Sequence, residues 1–143
     1  MKKVAQSDFP VDLKQSPELL ALQKKLQLQP RSKELVKTFV VPASDIRLDF
    51  YDNAEIDNDT ITVLLNNKLL LYRKMLTARP QTITLRAFPN TDYEIVMYAD
   101  NLGSIPPNTA LLVITAGANK YEVRLASSEQ KSAAVKIRFE KKE

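Results

Sequence analysis

The segment Ile46-Arg47-Leu48-Asp49-Phe50-Tyr51 decides the fold class. Its large apolar residues recur at every second position, with Arg47, Asp49 and Tyr51 between them. Successive side chains of a strand point to opposite faces, so this period gives one core face and one wet face. The same period returns down the chain. Ile61, Val63 and Leu65 alternate with Thr60, Thr62 and Leu64, and Ile83, Leu85 and Ala87 with Thr82, Thr84 and Arg86. Tyr121, Val123 and Leu125 alternate with Lys120, Glu122 and Arg124, and Val135, Ile137 and Phe139 with Lys136 and Arg138.

Two further runs are apolar on both faces: Ile95-Val96-Met97-Tyr98 and Ala110-Leu111-Leu112-Val113-Ile114. These predict central strands, or strands whose outer face is covered. Residues 35–41 and 69–74 complete about nine strands at the spacing of an all-β antiparallel sandwich. Asn66-Asn67 fits a two-residue hairpin, because Asn tolerates positive φ best after Gly. Gly117-Ala118-Asn119 can close the next-to-last hairpin. Longer connections are expected at residues 52–59, 100–109 and 127–132, and long loops on a rigid sandwich are where function usually sits.

Ahead of the strands, residues 1–15 show no sustained period. Ser16-Pro17-Glu18 is a helix start, with Ser as N-cap, Pro at the first helical position and an acid in the first turn. Leu19, Leu22 and Leu26 follow at helical spacing, and Pro30 ends the run. The chain therefore divides into an N-terminal extension with a short helix, residues 1–33, and a β-sandwich domain, residues 34–143. The apolar stripe of the helix either docks on the sandwich and covers a sheet edge or mediates homodimerisation.

Composition narrows the chemistry. The chain of 143 residues suits one domain with its own core. It has no His and no Cys, so Ser-His-Asp and Cys-His nucleophiles and Cys/His zinc sites are excluded. Acid–base work would fall to carboxylates, Lys or Tyr. The net charge is +4, but the basic residues are scattered rather than gathered on one stretch with stacking aromatics. That pattern reads as a solvated surface, not a nucleic-acid binder. No apolar run approaches the length of a membrane-spanning helix. Met1-Lys2-Lys3 resembles the start of a signal peptide, but no apolar region follows. There are only two glycines, Gly103 and Gly117, so Asn and Asp must serve most tight turns.

The densest chemistry lies in Tyr51-Asp52-Asn53-Ala54-Glu55-Ile56-Asp57-Asn58-Asp59-Thr60. Its acids alternate as in an EF-hand loop, but the required Gly is missing and the end does not match. Two readings stay open. Asp52, Asp57 and Asp59 with backbone carbonyls can hold Ca²⁺, a hard cation that takes oxygen ligands. Alternatively Asp52, Asn53, Asn58 and Asp59 hold the loop's own N–H groups. A third reading, paired carboxylates in glycoside hydrolysis, needs a facing acid across a cleft, and no second acidic cluster is present. In the 100–109 connection, Pro106 and Pro107 stiffen the backbone, and Asn101 and Asn108 flank it as Asx-turn formers.

These segments, with Leu65-Asn66-Asn67-Lys68 and Tyr98-Ala99-Asp100-Asn101-Leu102-Gly103-Ser104-Ile105-Pro106-Pro107-Asn108-Thr109-Ala110-Leu111, resemble one pattern. It belongs to a family of uncharacterised, mostly secreted or envelope-associated bacterial proteins. There the pieces read approximately DNGxxDGDxxxxxxNGK and AxNxGxxPPNTA. The resemblance spans about residues 34–140. It implies an immunoglobulin-like β-sandwich acting outside the cytoplasm and names no enzymatic activity. Ala54, Asn58 and Asn67 depart from it, standing where Gly is common; Ala54 fits a left-handed conformation least. The resulting expectation is a non-enzymatic extracytoplasmic module that binds or scaffolds a protein or glycan, with a calcium-stabilised acidic loop as an added feature. The alternatives are a carboxylate-dependent hydrolase of envelope polysaccharide and a purely structural dimerisation domain.

Overall fold

A computed structural model describes residues 15–26, 32–52, 60–99, 108–127 and 131–141. Among these described residues one helix, α1 (Pro17–Leu26), precedes nine strands: β1 (Ser32–Val41), β2 (Asp45–Asp52), β3 (Thr60–Leu65), β4 (Lys68–Met75), β5 (Gln81–Arg86), β6 (Asp92–Ala99), β7 (Asn108–Ala116), β8 (Asn119–Ser127) and β9 (Lys131–Phe139). The strands form a five-stranded sheet, β1-β9-β6-β3-β4, facing a four-stranded sheet, β5-β2-β7-β8. All pairings are antiparallel except that of β1 with β9. The fold is an all-β sandwich.

The period-two pattern becomes the core directly. Ile46, Leu48 and Phe50 of β2 meet Ile61, Val63 and Leu65 of β3 and Ile83 and Leu85 of β5 in one buried cluster. β6 and β7, the runs that are apolar on both faces, are interior strands with neighbours on either side. On the outer face of the five-stranded sheet the alternation misleads. Thr62 and Leu64 were expected to be wet but are buried, as are Val96 and Ala134 beside Leu64 in register. The sequence reading of a wet outer face on β3 is therefore corrected: that sheet buries both faces along this row.

Turn chemistry follows the residues. Asn66 and Asn67 adopt φ 49° and 67°, and the Asn66 side chain accepts the Glu94 N–H at 2.8 Å. Two positive φ values in a two-residue loop match the strand twist, which is why Asn stands there. Gly117, at φ 63°, turns β7 into β8; a Cβ there would lie 3.1 Å from the Ala43 Cβ. Arg73 also sits at positive φ, 51°, where the β3–β4 register shifts, and its N–H donates to the Thr62 hydroxyl at 3.1 Å. This bulge bends β4, the sheet's outer strand on that side.

The helix starts as its sequence dictates: the Ser16 hydroxyl accepts the Leu19 N–H at 3.1 Å. It covers the free edge of β4. Gln23 accepts the Leu69 N–H and Gln15 donates to the Leu69 carbonyl. β1 begins at Ser32, three residues ahead of the expected start at Leu35. It forms the opposite edge, and Phe39 packs its ring 5.5 Å from that of Tyr121 on β8.

The two sheets interlock. β2 pairs with β5 and β3 with β6, so the β2–β3 and β5–β6 connections both cross from the second sheet to the first. Tyr93, at the start of β6, is buried and its hydroxyl accepts the Phe88 N–H at 2.8 Å across the β5–β6 corner. Burial raises the Tyr93 pKa above 10.0, and the hydrogen bond from Phe88 offsets part of that rise.

Candidate functional site

Two regions gather chemistry, at opposite ends of the sandwich. The first is the end from which the long connections leave. Asp52, the last residue of β2, pairs with Ala110 of β7, and Ile61 of β3 pairs with Ala99 of β6. The roots of the β2–β3 and β6–β7 connections therefore stand side by side, one pair in each sheet. The β4–β5 connection reaches the same end, where Thr77 O accepts the Asp52 N–H at 3.1 Å. Asn108 pairs with Ser127, so the β8–β9 connection starts there too.

Of the expected site residues, Asp52 is half-buried at this end. Asn53, Asp57, Asn58, Asp59, Asn101, Pro106 and Pro107 lie outside the described residues. Asn108, expected to flank the 100–109 connection, is the first residue of β7 and pairs with Ser127. Among the described residues no group of three His, Cys, Asp or Glu side chains is placed to hold a metal ion. No described helix is long and apolar enough to cross a membrane.

The second region lies on the outer face of the four-stranded sheet, near the start of β2. Asp49 belongs to the face expected to be wet, yet it is 3% exposed. A buried carboxylate must be partnered. The Arg47 Nε donates to one oxygen at 2.9 Å and the Thr82 hydroxyl to the other at 2.5 Å. These are charge-assisted bonds, and they fix the Arg47 side chain against the sheet. Strand pairing supplies the geometry: Thr82 is the register partner of Asp49, and Thr84 and Thr115 flank Arg47 in one cross-strand row that Lys120 extends.

Beside Arg47 the face sinks into a depression of about 450 Å³, lined by Asp45, Arg47, Thr84, Arg86, Thr115 and Gly117 above Ile46 and Leu85. Arg86 Nε pairs with Asp45 at 3.2 Å on one wall. The Thr115 Oγ1 is buried and has no hydrogen-bond partner among the described residues. Gly117 leaves its side of the wall without a side chain. Sequence reasoning missed this region because Arg, Asp and Thr on a wet face look like ordinary solvated surface. Only the pairing register shows that Arg47, Thr84 and Thr115 adjoin.

No family of proteins, no curated protein and no solved structure matches this chain.

Proposed function

We propose that the protein is a non-enzymatic binding or scaffolding module with an immunoglobulin-like sandwich, acting outside the cytoplasm. One observation carries the reading: Asp52↔Ala110 and Ile61↔Ala99 set the roots of the two long connections together at one end. Immunoglobulin variable domains present their binding loops in this way, from the B–C and F–G connections of one end. Two details support the fold relation. The interlocked pairs β2/β5 and β3/β6 repeat the B/E and C/F neighbours of that fold, with the β7-β8 hairpin as an addition. Tyr93 resembles its tyrosine corner, a Tyr at the start of strand F bonded to backbone a few residues upstream.

The ligand is a protein or a glycan of the cell envelope, and the acidic connection contributes either through Ca²⁺ or by holding its own backbone. Two measurements test this. Binding to a panel of immobilised envelope glycans and proteins is compared between the chain and a variant with residues 53–59 and 100–107 replaced by Gly-Ser linkers of equal length. The proposal expects binding that the variant loses while its melting temperature stays close to that of the parent. Equal binding by both chains, or turnover of a glycan by the parent, contradicts it. A thermal melt in Ca²⁺ against one in chelator then separates the two roles of the acids. Calcium at a hundred times its Kd stabilises by about 2.7 kcal/mol, whereas a purely structural loop gives no shift.

A further inference from the structure

We propose that the depression beside Arg47 is a second binding site, for a small oxyanion carried as a carboxylate or a phosphate. It lies at the end of the sandwich away from the long connections and does not rest on their role. Asp49, itself buried, occupies Nε of Arg47, so the guanidinium is held by one edge. Its two terminal nitrogens have no partner among the described residues, and they form the planar fork that matches two oxygens of a carboxylate or phosphate.

The remaining walls supply what an oxyanion needs. Thr84 and Thr115 flank Arg47 in register, one on each side. The Thr115 hydroxyl is buried and has no partner among the described residues, a state that native structures rarely leave unsatisfied. An anion held on the Arg47 fork lies between these two threonines. Arg86 lines the same depression and Lys120 continues the row, so three cations stand against the two carboxylates Asp45 and Asp49. A volume of about 450 Å³ admits an organic acid or a sugar acid, larger than a bare ion.

The test is a titration of the full chain, followed by backbone amide chemical shifts, with sodium phosphate and separately with sodium glucuronate. Sodium chloride at matched ionic strength is the control. The proposal expects saturable shifts at Arg47, Thr84, Thr115 and Gly117 with at least one of the two anions, and none with chloride. Phosphate alone identifies a phosphoryl ligand, and glucuronate alone a carboxylate. Arg47→Gln weakens the interaction about tenfold or more, and Thr115→Val weakens it while the folded spectrum is retained. The absence of saturable shifts at these amides with either anion overturns the proposal. So do shifts that persist undiminished in both variants.

Discussion

Gln23 takes the place of a neighbouring strand at Leu69: its side-chain oxygen accepts the Leu69 N–H at 2.9 Å. Gln15 completes the substitution by donating to the Leu69 carbonyl at 2.9 Å, and it also donates to Gln23 at 2.7 Å. A primary amide carries the same donor and acceptor as a peptide group, so one glutamine on the helix and one just ahead of it can satisfy one residue of an open strand edge. An unpaired edge invites association with other chains. Leu69 is fully buried with Gln23 in place, and Gln23→Ala removes the partner of its N–H. We expect a loss of about 1–3 kcal/mol and stronger self-association, read by denaturant unfolding and light scattering. An unchanged unfolding midpoint would show that α1 contributes nothing to the edge.

The bond between Tyr93 and Phe88 makes a second prediction. Tyr93→Phe keeps the ring in the core but removes the hydrogen bond to the Phe88 N–H, at a cost of about 0.5–1.5 kcal/mol near neutral pH. The pH dependence has a definite sign. The folded-state pKa of Tyr93 lies above 10.0, chiefly because the hydroxyl is buried. Below pH 10 the tyrosine is neutral in both states and its contribution is complete. Above pH 10 the unfolded chain ionises first, so that contribution is lost as pH rises towards the folded pKa. The stability gap between the parent and Tyr93→Phe therefore narrows above pH 10. A gap that widens there contradicts the placement of this hydroxyl.

The hairpin between β3 and β4 gives an ordering of variants rather than a single value. Asn67 holds φ 67°, which an alanine adopts at a cost of about 1–2 kcal/mol. Asn67→Ala should fall by about that amount, while Asn67→Gly should stay within about 0.5 kcal/mol of the parent. Equal stability of the Ala and Asn chains, measured by chemical unfolding, would mean that the turn is not built on positive φ.

Much of this architecture was legible in the sequence because strand period, hairpin chemistry and helix capping are local. Ile46, Leu48 and Phe50 announced a half-buried strand, Asn66-Asn67 a tight hairpin, and Ser16-Pro17 a helix start. What failed was what depends on partners distant in sequence. Leu64 looked like the wet side of β3 until Val96 and Leu69 came beside it. Asp49 looked solvated until Thr82 arrived from β5. Arg73 carries no sequence signal for positive φ; the shift of register at Ile61 and Val63 produces it. The candidate site was legible in outline only. The acidic and proline-rich connections were recognised from composition, but their common end follows from pairings that no local pattern encodes.

That common end is the central claim, and a chain without cysteine allows it to be tested directly. Directly opposed residues of antiparallel strands have Cα atoms about 4.5–5.5 Å apart, within the range a disulfide spans. The double variant Asp52→Cys with Ala110→Cys joins the root of one connection to the root of the other. Under mild air oxidation the account predicts a monomer that has lost two hydrogens by mass spectrometry, with both thiols unreactive to alkylation. Two alkylatable thiols in the folded monomer would contradict the account.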